Sequence, residues 1–69
     1  MLGMEIVLNG QAKTLAGPLS VEALVTELGF VGKRIAVERN GEIVPKSTHA
    51  QVIIAAGDRL EIVVAVGGG

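Results

Sequence analysis

The sequence predicts an α+β domain, a mixed four- to five-stranded sheet covered by one main helix. Three observations carry the prediction. Val21, Leu24, Val25 and Leu28 fall at i, i+3, i+4 and i+7, one amphipathic helical stripe. The strand-like segments are grouped around two Asn-Gly dipeptides instead of alternating with helices, which is an α+β plan and not βαβ. The last segment, Arg59–Val66, is the most hydrophobic strand, which places it at the centre of the sheet.

Taken in order, Met4–Leu8 alternates, with Met4, Ile6 and Leu8 on one face. Asn9-Gly10 tolerates the positive φ values of a two-residue type I′ turn, so Gln11–Leu15 is the returning strand. Ala16-Gly17-Pro18 breaks it. Ser20 stands where a helix N-cap belongs, and Leu19 and Leu24 are placed for a hydrophobic staple. The helix is expected at about 21–28, with Glu22 in its first turn and Gly29 ending it as a left-handed residue. Residues 30–34 read as a loop and Ile35–Arg39 as a strand. Asn40-Gly41 turns that strand into Glu42-Ile43-Val44, which Pro45 ends. Ser47–Gln51 reads as a helical turn or loop. Val52-Ile53-Ile54 is an apolar run of undecided state, and Ala55–Asp58 is a turn. On the last strand Leu60, Ile62 and Val64 face one way, and Arg59, Glu61, Val63 and Ala65 the other.

Composition narrows the function. The 69 residues make one domain. Six Lys and Arg against seven Asp and Glu give a net charge of −1, which excludes nucleic-acid or anionic-membrane binding by bulk electrostatics. There is no cysteine, hence no disulfide, thiolate metal site or thiol catalysis. Phe30 is the single aromatic residue, which leaves no stacking platform for single strands. No segment reaches the ~20 apolar residues of a membrane span. Met1-Leu2-Gly3-Met4 lacks the basic start and apolar stretch of a signal peptide, so the expected location is cytoplasmic.

The remaining chemistry is at the end of the chain. Gly67-Gly68-Gly69 follow the apolar strand directly. The ordinary reading is a frayed terminus, residues 1–66 being the folded domain and 67–69 a flexible tail. The alternative is access: a carboxylate on a tether without Cβ atoms passes through a narrow channel into another protein's active site. Coupled to AMP, that carboxylate becomes a good electrophile.

Several features occur together: an opening strand ending in Asn9-Gly10, the helix led by Ser20, and the segment Asn40-Gly41-Glu42-Ile43-Val44-Pro45. Gly57-Asp58 then precedes the last strand, and the glycines finish the chain. Over essentially its whole length the sequence resembles the ThiS family, sulfur carrier proteins of thiamine (thiazole) biosynthesis with a ubiquitin-like β-grasp fold. The resemblance implies a protein cosubstrate and not an enzyme. An E1-like adenylyltransferase of the ThiF type would use ATP to adenylate the carboxylate of Gly69. A sulfur donor system would convert it to a thiocarboxylate, and a thiazole synthase of the ThiG type would take the sulfur. ATP would belong to the partner, with no cofactor held by this chain and a monomer expected when free. Gly68 and Gly69 match the family's Gly-Gly pair and Gly67 is an additional glycine. The alternatives are the small subunit of molybdopterin synthase or another thiocarboxylate carrier, a ubiquitin-like modifier forming an isopeptide bond, and a plain interaction module.

Other residues are weaker candidates for chemistry. Val63 and Ala65 lead into the tail; if the helix covers the opposite face they form an exposed apolar docking patch, or else ordinary surface side chains. His49 lacks neighbouring metal ligands and reads as a solvated loop histidine. Glu38 and Glu42 flank a turn, where a catalytic pair has no cleft, and read as cross-strand or solvated charges. Lys33-Arg34 either steer an acidic partner or solvate a loop, the latter favoured. Gly29 and Gly32 follow the helix, so they are no phosphate loop.

Overall fold

A computed structural model of the protein describes residues 3–65. The expected tail, residues 67–69, lies outside the described residues. Strands β1 (Met4–Leu8) and β2 (Gln11–Leu15) form the first hairpin. A two-residue strand, β3 (Leu19–Ser20), leads into helix α1 (Val21–Glu27). Strands β4 (Ile35–Arg39) and β5 (Glu42–Ile43) form the second hairpin. A 3₁₀ turn (Lys46–Thr48), strand β6 (Ile53–Ile54) and strand β7 (Arg59–Val64) follow. The main sheet has the order β2-β1-β7-β4-β5, and β3 pairs with β6 in a small separate ribbon. β7 is central, as its hydrophobicity predicts. It runs parallel to β1 and antiparallel to β4.

Both Asn-Gly turns adopt the left-handed backbone that the dipeptide favours, with φ of 51° and 82° at Asn9 and Gly10 and of 53° and 87° at Asn40 and Gly41. The helix is capped at both ends. Ser20 Oγ accepts from the Ala23 N–H at 3.0 Å. The two preceding N–H groups donate to carbonyls from the second half of the chain, Val21 to Val52 and Glu22 to His49, each at 2.9 Å. At the other end Gly29, φ +85°, donates to Thr26 and Phe30 donates to Val25, the paired bonds of a Schellman motif. The helical segment ends at Glu27, with Leu28 as the cap.

Ile6, Leu15, Val21, Leu24, Val25, Val37, Val44, Ile54, Leu60 and Ile62 form the core between helix and sheet. Several boundaries differ from the sequence reading. Leu19 is the start of a strand, because its backbone finds Ile54 opposite. The undecided apolar run supplies that partner. β5 ends at Ile43, although the Val44 N–H still donates to Val37 at 2.8 Å. β7 ends at Val64, which stays 38% exposed because the core stops short of it.

Asp58 sits in the turn before β7 and is buried. Its carboxylate accepts from Arg39 Nε at 2.7 Å, from Asn40 Nδ2 at 3.1 Å and from the Ala55 N–H at 2.9 Å. Burial pushes its pKa up. The Ala55, Arg39 and Asn40 hydrogen bonds and the Arg39 charge more than reverse that and hold it below the ordinary carboxylate value. A lowered folded pKa stabilises at pH above the unfolded value of about 3.9 and ceases to do so as pH falls through the folded value. Asp58→Asn is therefore expected to cost about 1–3 kcal/mol at neutral pH, since an amide cannot accept all three donors. Urea denaturation at pH 7 and at strongly acid pH checks this: the variant's deficit shrinks in acid, whereas an equal deficit at both would contradict the role.

Candidate functional site

The two faces of the main sheet differ in chemistry. Strand alternation places Leu60 and Ile62 under the helix, both buried. It turns Arg59, Glu61 and Val63 to the open face, all exposed. The β4–β7 register sets Glu61 opposite Glu38 and Val63 opposite Ala36, and β5 adds Ile43 opposite Glu38. The open face thus carries an apolar group of Ala36, Ile43 and Val63, with Ile43 64% and Val63 62% exposed, beside a facing pair of glutamates. Like charges directly opposite on a sheet oppose folding, so this arrangement is not one that stability selects.

Val63 and Ala65 are both exposed. Ala65 is the last described residue, and its N–H donates to the Arg34 carbonyl at 2.8 Å. That bond anchors the residue after β7 to the loop after α1. Gly67, Gly68 and Gly69 lie outside the described residues.

β7 is held by side chains from both Asn-Gly turns. Asn9 Oδ1 accepts from the Ile62 N–H at 2.8 Å, and its Nδ2 donates to the Ile62 carbonyl at 3.3 Å. Asn40 Oδ1 accepts from the Arg59 N–H at 2.9 Å. The sequence reading gave these asparagines only a turn role. Their reach to β7 was hidden because it depends on strand order.

His49 corrects an expectation. It is not a solvated loop residue: it is buried, and its Nε2 lies 3.1 Å from the Val44 carbonyl, to which it donates. The 3₁₀ turn brings its ring to that carbonyl. Glu38 and Glu42 are not opposite each other, since Glu42 faces Arg39. Lys33 and Arg34 are exposed. Among the described residues no group of three His, Cys, Asp or Glu side chains could hold a metal ion. Among them, too, every buried side-chain nitrogen or oxygen has a hydrogen-bond partner. Among the described residues no helix is long and apolar enough to cross a membrane. The geometry offers a presenting surface: an open sheet face with apolar and acidic groups, at the end of a clamped central strand.

Comparison with known proteins supports that reading of the fold. The ThiS family model matches residues 6–69. The chain is 52% identical over 66 residues to a thiazole synthase of Paramagnetospirillum magneticum, and 36% identical over 66 residues to one of Magnetococcus marinus. These matches cover 96% of this chain but 20% of each synthase, so the chain spans about a fifth of their length. An uncharacterized protein, ycf40, of Porphyra purpurea is 35% identical, with 96% of this chain and 93% of that protein covered. The crystal structure of the thiamine biosynthesis protein ThiS from Geobacter metallireducens superposes with a TM-score of 0.82 at 29% identity, covering 96% of this chain and all of that one. The expected β-grasp fold is thus the observed one. With the family match running from β1 through the terminal glycines, the chain belongs to the ThiS family.

Proposed function

We propose that the chain is a sulfur carrier of thiazole formation, a protein cosubstrate whose reactive group is the carboxyl of Gly69. The observation that carries this reading is the family match through Gly69 in a chain with no cysteine. Without a thiol, sulfur has no side chain to ride on, and the terminal carboxyl is the carrier atom. In the proposed sequence an E1-like adenylyltransferase of the ThiF type binds the domain. The Gly69 carboxylate oxygen attacks the α-phosphate of ATP, and pyrophosphate leaves. Hydrosulfide delivered by the sulfur donor then attacks the carbonyl carbon and displaces AMP, its proton passing to solvent. A C–S bond replaces the C–O bond to AMP, and the chain ends as a thiocarboxylate, one oxygen exchanged for one sulfur. A thiazole synthase of the ThiG type receives that sulfur.

The domain's part is presentation. The open face around Val63, Ala36 and Ile43 provides apolar area for docking, and the facing Glu38 and Glu61 favour a partner with a complementary cation. Glycines carry no side chains, so Gly67, Gly68 and Gly69 suit a narrow channel. Similarity to proteins named thiazole synthase favours the thiazole pathway over molybdopterin synthesis.

Two outcomes test this. Deleting Gly69 abolishes acylation while the melting temperature stays unchanged, because β7 ends at Val64 and the core residues among those described all precede it. Intact mass after incubation with ATP, an E1-like enzyme and a sulfur source reports the oxygen-to-sulfur exchange in the full chain alone. Higher-mass conjugates would instead indicate a ubiquitin-like modifier. Val63→Asp leaves folding intact and weakens binding to the adenylyltransferase about tenfold or more; unchanged affinity in calorimetric titration removes Val63 from the docking surface.

A further inference from the structure

The helix side of the domain carries a feature that tail chemistry does not use. Helix α1, the loop after it and the 3₁₀ turn enclose an open groove of about 370 Å³. Its apolar lining comes from Val25, Phe30, Val31 and Ile35. Val31 is 66% exposed, the most exposed large aliphatic side chain among the described residues. Lys33, Arg34 and Lys46 also line it, half of the chain's six cations, against a single acid, Glu22. The opposite face of the sheet carries the Glu38–Glu61 pair together with Arg59, so the concentration of cations is on the groove side.

We propose that this groove is a docking site for an acidic protein segment bearing an aliphatic side chain. The aliphatic group lies against Val31 and Phe30, and carboxylates meet Lys33, Arg34 and Lys46. Charge complementarity selects the occupant's sign, and the apolar lining demands more than a bare anion. The local backbone argues against a phosphate cradle. The first N–H groups of α1 are taken by Val52, His49 and Ser20, and the Lys33 N–H donates to the Phe30 carbonyl. The polar groups that remain are long side chains at the rim, which suit solvated carboxylates on a peptide. The groove borders Ala65, whose N–H donates to the carbonyl of Arg34, yet it lies on the other side of the sheet from Val63. A partner seated here leaves the open sheet face available to another. The proposal goes beyond the carrier reading and does not depend on activation of the tail.

The test uses the full, isotopically labelled chain and an acetylated, amidated hexapeptide of glutamate and leucine. NMR shift changes are expected at the methyls of Val25, Val31 and Ile35 and the amides of residues 30–35. The affinity falls as salt is raised. Lys33→Glu combined with Arg34→Glu weakens binding roughly tenfold or more with an unchanged melting temperature, while Val63→Asp binds as the parent does. The proposal is overturned by any of three results: no shift at millimolar peptide, equal binding of the lysine-for-glutamate peptide, or tighter binding of ATP than of the peptide at the same residues.

Discussion

The structure depends on the clamping of one strand, β7, between two hairpins that are distant from it in sequence. Its parallel partnership with β1 is short: Val7 and Leu8 lie beside Arg59 and Leu60. Side chains lengthen it. Asn9 bonds both the N–H and the carbonyl of Ile62, acting as one more rung of ladder beyond the end of β1. On the other flank Asn40 bonds the Arg59 N–H, while Asp58 ties the turn before β7 to Arg39 and Asn40. Each Asn-Gly dipeptide therefore does two things: its backbone turns the chain, and its side chain fixes the central strand. Among neutral side chains asparagine suits both, because it tolerates positive φ and carries a donor and an acceptor.

That clamp links fold to function. A central strand buried on its helix side cannot shift register without turning Leu60 and Ile62 outward. The position of Ala65, the last described residue, is consequently set by the register of the whole strand. The open face beside that point carries exposed aliphatic groups and two facing glutamates, features that cost stability and offer recognition in return. The helix side, with its cations, offers a recognition surface of opposite charge.

Much of this was legible in the sequence because it is local. The period of the helical stripe, the Ser20 cap, Gly29 and the two Asn-Gly turns each act within a few residues, and all appear where the pattern places them. The hydrophobicity of the last strand told of its central position. What escaped is long-range. Leu19-Ser20 becomes a strand only because Ile53-Ile54 arrives opposite it. His49 is buried only because Val44 presents a carbonyl to it across the 3₁₀ turn. The Glu38–Glu61 opposition requires knowing that β7 lies next to β4, and the groove requires three separate segments to meet. Val63 and Ala65 could be named from alternation alone, while their neighbours Ala36 and Ile43 could not.

The most direct measurement is carbonyl ¹³C NMR on chain grown with carbonyl-labelled glycine. After incubation with ATP, an E1-like adenylyltransferase and a sulfur source, the account predicts that a single glycine carbonyl, that of Gly69, moves far downfield to a thiocarboxylate position. The other nine glycine carbonyls should stay close to their starting shifts. Ten unchanged resonances under conditions that activate a known ThiS protein would contradict it.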